Sequence, residues 1–221
     1  MQLLRNIPEV LPQPCVATIG FFDGVHRGHR YLIEQVREVA AAHGFASGVV
    51  TFPVHPRKVV QPEYHPELLT TYEEKVSLLA ETGLDYCMML DFTPEVAILS
   101  AKEFMSFLYN HYNIRALVIG YDHRFGHNRS EGFDDYVRYG QELGIEVILA
   151  HAYIDKDVAV SSSVIRQLLS EGNVSEAAAC LGYDYFLNGM VVSGYRVGRK
   201  IGFPTANLRV DDPDKLVPSD G

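Results

Sequence analysis

Thr18-Ile19-Gly20-Phe21-Phe22-Asp23-Gly24-Val25-His26-Arg27-Gly28-His29 is the stretch around which the chain is organised. It reads as the end of a buried strand, a turn carrying Asp23 and two glycines, and the first turn of a long helix. The two histidines are three residues apart and share one helix face. Backbone N–H groups at a helix start lack intrahelical partners, and the helix dipole adds partial positive charge there. Such a place binds anions, a triphosphate among them. Gly24 and Gly28 are read as positions where the backbone approaches phosphate oxygens without a Cβ in the way. Taken alone, two histidines at this spacing are a weak signal, more often solvated or structural than catalytic. Their place behind an apolar strand and a glycine turn favours phosphate work. No third ligand lies at metal-site spacing, and no Ser or Cys nucleophile sits beside them.

Outward from this stretch, short apolar runs alternate with helical patterns. Residues 15 to 21 form the first strand, and Gly28 to His43 a helix with Leu32, Ile33, Val36, Val39 and Ala40 at helical spacing. Gly44 ends it. Ser47 to Phe52 is a second strand, followed by a loop punctuated by Pro53, Pro56, Pro62 and Pro66 and carrying His55 and Arg57. Thr71 to Glu74 is a capping box opening a helix to about Glu81, and Ser100 to Glu103 is another, opening a helix to about Tyr112. Asp85 to Phe92, Ala116 to Gly120 and Ile145 to Ala150 are the remaining strands, with a helix over Phe133 to Leu143. This alternation predicts an α/β fold, a doubly wound parallel sheet covered on both faces. Ligands of such sheets sit beyond the carboxyl ends of the strands. The loops at 22 to 29, 53 to 58 and 120 to 129 converge on that edge, bringing His26, His29, His55, His123 and His127 with them.

Val160 to Arg166 precedes a helix to about Ser170. Its serines serve either as a plain cap with a solvated arginine or as hydroxyls offered to phosphate beside a fixed charge. Asn173 starts a short helix that ends near Gly182. From Tyr185 the texture turns strand-like, leading to a basic loop with glycines at 194, 198 and 202. The residues beyond Tyr185 are too few for a core of their own, since domains below ~40 residues usually need staples. One complete domain over 1–185 and the opening of a second over 186–221 is the expected organisation.

The 221 residues are 47% hydrophobic, ordinary for a globular protein, and 19 Lys and Arg against 28 Asp and Glu leave a net charge of −9. That balance disfavours nucleic acid as a partner. Basic residues gather in strand-end loops instead (Arg27, Arg30, Arg57, Lys58, Arg124, Arg129, Arg166), which suits a small anionic ligand. Cys15, Cys87 and Cys180 read as buried thiols of a reducing compartment. No secretory signal and no membrane-length apolar stretch is present, so a soluble cytoplasmic protein is expected.

Five segments in order carry a resemblance: TIGFFDGVHRGH (18–29), TFPVHPR (51–57), GYDHRFG (120–126), VSSSVIR (160–166) and GRKIGFPTAN (198–207). Together they resemble the bacterial bifunctional riboflavin kinase/FAD synthetases. The resemblance implies a Rossmann-like nucleotidylyltransferase followed by the start of a small β-barrel kinase module. It implies transfer of adenylyl from ATP to FMN, giving FAD and pyrophosphate, with Mg²⁺ carried by the nucleotide. His26, His29 and Arg166 would be catalytic, and Gly20, Phe22, Asp23, Gly24, Gly28, Ser162 and Ser163 would bind ATP. His55, Pro56, Asp122 and Phe125 would face FMN, Asp122 contacting either a metal or a ribose. Gly198, Pro204, Thr205 and Asn207 would be a partial kinase site for riboflavin and ATP, Thr205 and Asn207 coordinating the metal. Phe21 and His123 depart from the family pattern, which usually has a polar residue and Phe there. The family's downstream kinase glutamate lies beyond Gly221, so kinase activity of these residues is not expected. Other readings of the same fold are a nucleotidylyltransferase for another phosphate substrate and a non-catalytic flavin or nucleotide module.

Overall fold

The computed structural model describes residues 1–5, 10–121, 123–155, 158–195 and 197–219. The sheet begins one strand earlier than expected, at Gln2–Arg5 (β1), which is too short to carry a periodic signal. Cys15–Ile19 (β2) is buried at all five positions, as a strand covered on both faces must be. It leads through the opening stretch into Arg27–His43 (α1), closed by Gly44 in the left-handed conformation at φ 66°. Ala46–Thr51 (β3) follows, then Pro56–Val60 (α2), Tyr72–Ala80 (α3) and Tyr86–Met89 (β4). Pro94–Ala97 (α4), Ala101–Tyr112 (α5), Ile114–Ile119 (β5), Phe133–Leu143 (α6) and Glu146–Leu149 (β6) complete the main unit. The short helix α2 falls in the segment read as a loop and α4 in one given no reading; each starts with a proline, whose fixed φ suits a first helical turn. Both predicted capping boxes are formed, Thr71 with Glu74 and Ser100 with Glu103.

The six strands are all parallel, in the order β1-β4-β3-β2-β5-β6. The chain builds outward from β2 to β4, then returns to the other side of β2 for β5 and β6. Crossover helices therefore lie on opposite faces. Cys15, Ala17, Ile19, Val50 and Leu117 pack with Phe104, Met105 and Leu108 of α5 and Tyr136 of α6. Val16, Val49, Cys87 and Val118 pack with Ile33 and Val36 of α1 and Leu78 and Leu79 of α3. The residues alternate between faces along each strand because the strand period is two. Connections leaving β2 and β5 diverge, opening a crevice at their carboxyl ends.

Beyond β6, Ile154–Asp155 (β7) and Val158–Ala159 (β8) pair antiparallel, and Ser162–Ser170 (α7) and Val174–Leu181 (α8) follow. Gly189–Val192 (β9), Val197–Lys200 (α9) and Asn207–Val210 (β10) end the named elements, β9 and β10 forming a two-stranded antiparallel sheet. The strand expected over 185–193 is thus shorter, and the hairpin leaves Val191 and Phe203 72% and 76% exposed. Residues 211–219 turn back instead onto the main unit, where Leu216 joins Leu69, Ile165, Leu169, Ala177 and Leu181 in a third apolar cluster.

Gly140 lies inside α6, where alanine would ordinarily be the better helix former. A Cβ there would stand 2.4 Å from the carbonyl oxygen of Ile145 and 2.7 Å from Val147. The close approach of α6 to the start of β6 therefore requires glycine. Gly140→Ala is expected to lower unfolding free energy by about 2 kcal/mol in urea denaturation, against the helix-propensity trend. A gain in stability would show that the contact yields freely.

Candidate active site

A cavity of about 260 Å³ opens at the crevice between β2 and β5. Its wall is Gly20, Phe21, Phe22 and Asp23 after β2, His55 after β3, Gly120 and His123 after β5, and His29, Leu32, Ser162 and Arg166 from α1 and α7. The first turns of two helices thus border one space, and their unpaired N–H ends favour an anion. A second, more apolar cavity of about 100 Å³ adjoins it, sharing Ile19 and His123. Pro56, Phe52, Phe92, Phe104, Phe125 and Arg129 are among its lining residues. Phe125 is held by stacking on Tyr136 at 4.2 Å.

Asp23 is buried, and its carboxylate does not point at open space. It accepts from the backbone N–H groups of Leu69 and Thr70, each at 3.0 Å, and from the Thr70 hydroxyl at 3.1 Å. Arg166 Nη2 pairs with it at 2.6 Å, while Arg166 Nε donates to the Glu67 carbonyl at 2.6 Å. A buried carboxylate is tolerated when its charge is matched and its oxygens are hydrogen-bonded, and both conditions are met here. Asp23, expected to bind nucleotide, lines the cavity while its carboxylate accepts from the 69–70 loop and from Arg166. Ser162 donates its hydroxyl to the Asp23 carbonyl at 3.0 Å. Ser161, not Ser162 or Ser163, is the cap of α7, accepting from Val164 N–H. Ser163 is exposed and outside the cavity wall.

Gly24 and Gly28, expected to bind ATP, are closely packed by the chain itself. At Gly24 (φ 80°) a Cβ would meet Leu69 at 2.8 Å and Leu181 at 3.3 Å. At Gly28 it would meet the His26 ring at 3.2 Å and the Val160 carbonyl at 3.3 Å. Their missing side chains make room for protein, and neither lines the cavity. Phe22 takes a left-handed backbone at φ 56°, uncommon for a bulky residue, and its buried ring meets His29 edge-on at 5.1 Å.

His26 is the N-cap of α1: its Nδ1 accepts from His29 N–H at 3.3 Å. That bond leaves Nε2 as the protonated nitrogen of the neutral ring. The two rings stack at 3.6 Å, with His29 in the cavity wall and His26 behind it. His29 Nδ1 is buried without a hydrogen-bond partner. Burial lowers the His26 pKa to about 4, with Asp23 opposing and Arg166 adding to the shift. His29 is pushed well below the ordinary value, by burial first and then by His26, Lys75 and His123. Both rings are therefore neutral at pH 7. His55 caps α2, accepting from Arg57 N–H at 3.2 Å, and packs edge-on against Phe21 at 4.7 Å.

Of the remaining predicted residues, His127 turns to the Ala97 carbonyl and stays outside the cavity. Most of the basic loop residues have their own partners: Arg30 bonds Glu81 and the Val25 carbonyl, Arg57 lies over Tyr64, and Lys58 pairs with Asp214. Asp122 lies outside the described residues. Among the described residues no group of three His, Cys, Asp or Glu is arranged to hold a metal. Pro204, Thr205 and Asn207 line a separate pocket of about 210 Å³ with Val191, Gly194 and Arg199. Gly198 is not in that wall; Phe203 O fills the space of its Cβ at 2.2 Å. The cysteines are free, and burial raises Cys15 to about 12 and Cys87 to about 11.

One residue of the site was not foreseen. Lys75 is buried beneath the cavity, its ammonium donating to the carbonyls of Phe21 (3.2 Å) and Phe52 (2.7 Å) and lying 3.8 Å over the Phe21 ring. It ties the loops leaving β2 and β3 together, and burial lowers its pKa to about 8. The signal was present: Lys75 precedes Leu78 and Leu79 by three and four residues, on the face α3 buries.

The depressed histidines couple folding to pH. An unfolded-chain histidine titrates near 6.5 and takes up a proton that folded His26 refuses until about pH 4. The unfolded state binds more protons in that window, so stability falls as pH drops from 6.5 towards 4. Through His26 alone the loss between pH 6.5 and pH 5 is about 2 kcal/mol. Urea unfolding at the two pH values should show a smaller drop for His26→Gln than for the parent. Equal drops in the two proteins would contradict the burial of a neutral His26.

Comparison with known proteins places this geometry. The FAD synthetase family model matches residues 9–164, and the riboflavin kinase model matches 181–221. The bifunctional riboflavin kinase/FMN adenylyltransferase of Escherichia coli is 36% identical over 212 residues, covering 94% of this chain and 68% of that protein. The protein of the same description from Listeria monocytogenes is 34% identical over 207 residues, covering 93% and 65%. A crystal structure described as that of a macrolide-efflux protein from Streptococcus pneumoniae aligns with a TM-score of 0.86 and 34% identity, covering 96% of this chain and 68% of that one. Among the described residues here, no helix is long and apolar enough to cross a membrane. With 71% of its residues inside one family model (156 of 221), the chain belongs to the FAD synthetase family.

Proposed function

We propose that the chain is an FMN adenylyltransferase, making FAD and pyrophosphate from ATP and FMN. The observation that carries this reading is the cavity at the β2–β5 crevice, where two helix starts, Arg166 and the His29 ring meet beside an aromatic pocket. An oxygen of the FMN phosphate attacks the α-phosphorus of ATP. The new P–O bond forms as the bond to the bridging oxygen breaks, and pyrophosphate leaves with that electron pair. The nucleophile is already an anion, so no strong base is required, and neutral histidines suffice as donors. What the reaction asks of the protein is positioning of two anions and neutralisation of growing charge.

In this reading His29 and Arg166 contact the phosphates, and Ser162 and the α7 start border them. His26 orients His29 by the stacked contact and the cap. Gly20 and Phe22 shape the floor. Asp23 serves through Arg166, which it holds in place. Phe125, Pro56 and His55 border the flavin side, and His123 stands between the two cavities. Mg²⁺ is assigned to the nucleotide as its counter-ion. The pocket at Thr205 and Asn207 fits a second nucleotide of riboflavin kinase chemistry, with residues 186–221 contributing that module. A small-molecule reaction on ATP accords with a cytoplasmic location, and the net charge of −9 with the absence of a nucleic-acid partner.

A donor that strengthens only as charge develops affects the rate more than ground-state binding. His29→Ala is expected to lower the rate constant for FAD formation by roughly 100-fold, with ATP affinity changed by no more than about threefold. Rapid-quench turnover with Mg-ATP and FMN, alongside an ATP binding titration, measures both. An unchanged rate constant removes His29 from the reaction, and absence of FAD from the unaltered protein removes the function.

A further inference from the structure

Residues 211–219 belong to the stretch matched by the riboflavin kinase model, yet they pack against the adenylyltransferase site. Lys215 forms a parallel bridge with Leu68, secured by Leu68 N–H to Asp214 O at 2.7 Å and Leu216 N–H to Leu68 O at 2.8 Å. Its side chain, 1% exposed, donates to the Leu69 carbonyl and to Glu74 Oε2, both at 2.7 Å. Glu74 is occupied on every side: it also accepts from Thr71 N–H at 3.0 Å and from Asn188 at 2.9 Å. The Leu69 residue that Lys215 grips by its carbonyl is the one whose N–H binds Asp23, and Asp23 holds Arg166 in the cavity wall.

We propose that Lys215 is a positioning residue for adenylyl transfer, fixing Arg166 through the 69–70 loop and Asp23. The inference rests on the adenylyltransferase reading and extends it, because a residue outside the FAD synthetase match becomes part of its site. The ammonium makes no contact with the cavity; it acts on the backbone between two buried charges. A network of buried, fully partnered polar groups holds one arrangement, and removing a member leaves its neighbours free to shift. The Tyr185 hydroxyl, bonded to the Leu216 carbonyl at 2.7 Å, and the Tyr185 ring, 4.5 Å from the Lys215 ammonium, hold the strap in register.

The test is a double-mutant cycle in the full chain, with Lys215→Met and Arg166→Ala made singly and together. If Lys215 acts through Arg166, its removal slows FAD formation about fivefold in the parent and less than about twofold beside Arg166→Ala. A general loss of structure would instead cost the same factor in both backgrounds, and that result overturns the proposal. Because Lys215→Met leaves the buried Glu74 charge uncompensated, the parent is also compared with Glu74→Gln/Lys215→Met, which removes both buried charges together. Hydrogen exchange at the Leu69 and Thr70 amides is followed in the same proteins, and faster exchange without Lys215 is expected. Unchanged exchange overturns the link. Should the parent form no FAD from Mg-ATP and FMN, the adenylyltransferase reading fails separately, and exchange at the two amides decides whether Lys215 governs the loop.

Discussion

The buried carboxylate of Asp23 is the contact on which the cavity depends. It gathers two backbone amides and a hydroxyl from residues 69 and 70 and the guanidinium of Arg166 from α7. Three segments far apart in the chain are thereby fixed around one charge. Arg166 enters the cavity wall with an orientation already determined, so it does not have to be ordered by a ligand. A charge this enclosed costs stability unless every lone pair is used, and the partners account for that cost. Preorganised charge of this kind is what a reaction between two phosphates asks for.

Around that contact the sheet supplies geometry and the helices supply polarity. Strand order reverses between β2 and β5, and every loop that lines the cavity on the strand side leaves a carboxyl end. Lys75 ties two of those loops from below, and the left-handed backbone of Phe22 sets its ring against His29. Neutral, stacked histidines stand at the start of α1 without adding charge. The acidic body of the protein is no obstacle, because one arginine and two helix ends face the cavity and the Lys75 ammonium lies beneath it. An aromatic pocket adjoins the cavity.

Much of this was legible in the sequence. The glycines after α1, α6 and α8, the two capping boxes and the apolar strands located the main elements to within a few residues, because each signal is local. Convergence of the loops holding His29, His55 and His123 followed from the parallel-sheet rule alone. What could not be read is what depends on distant partners. The partners of Asp23 could not be read, because nothing nearby in the chain reveals Leu69, Thr70 or Arg166. Part of the packing at Gly24 and Gly28 was hidden for the same reason: Leu69, Leu181 and the Val160 carbonyl, which approach the two positions, are distant in the chain. Nothing in the sequence singles out Lys215, and only the return of 211–219 to Leu68 buries it. β1 was missed for the opposite reason: four residues at a sheet edge carry too little pattern.

The central claim is that Asp23 presents Arg166, together with His29, to a polyphosphate at the β2–β5 crevice. A crystal structure with a non-hydrolysable ATP analogue tests it most directly. The account predicts the phosphates between His29 and the Arg166 guanidinium, with the Arg166–Asp23 pair intact. Phosphates bound away from both residues, or an Asp23 carboxylate turned out of the 69–70 loop to meet the nucleotide, would contradict it.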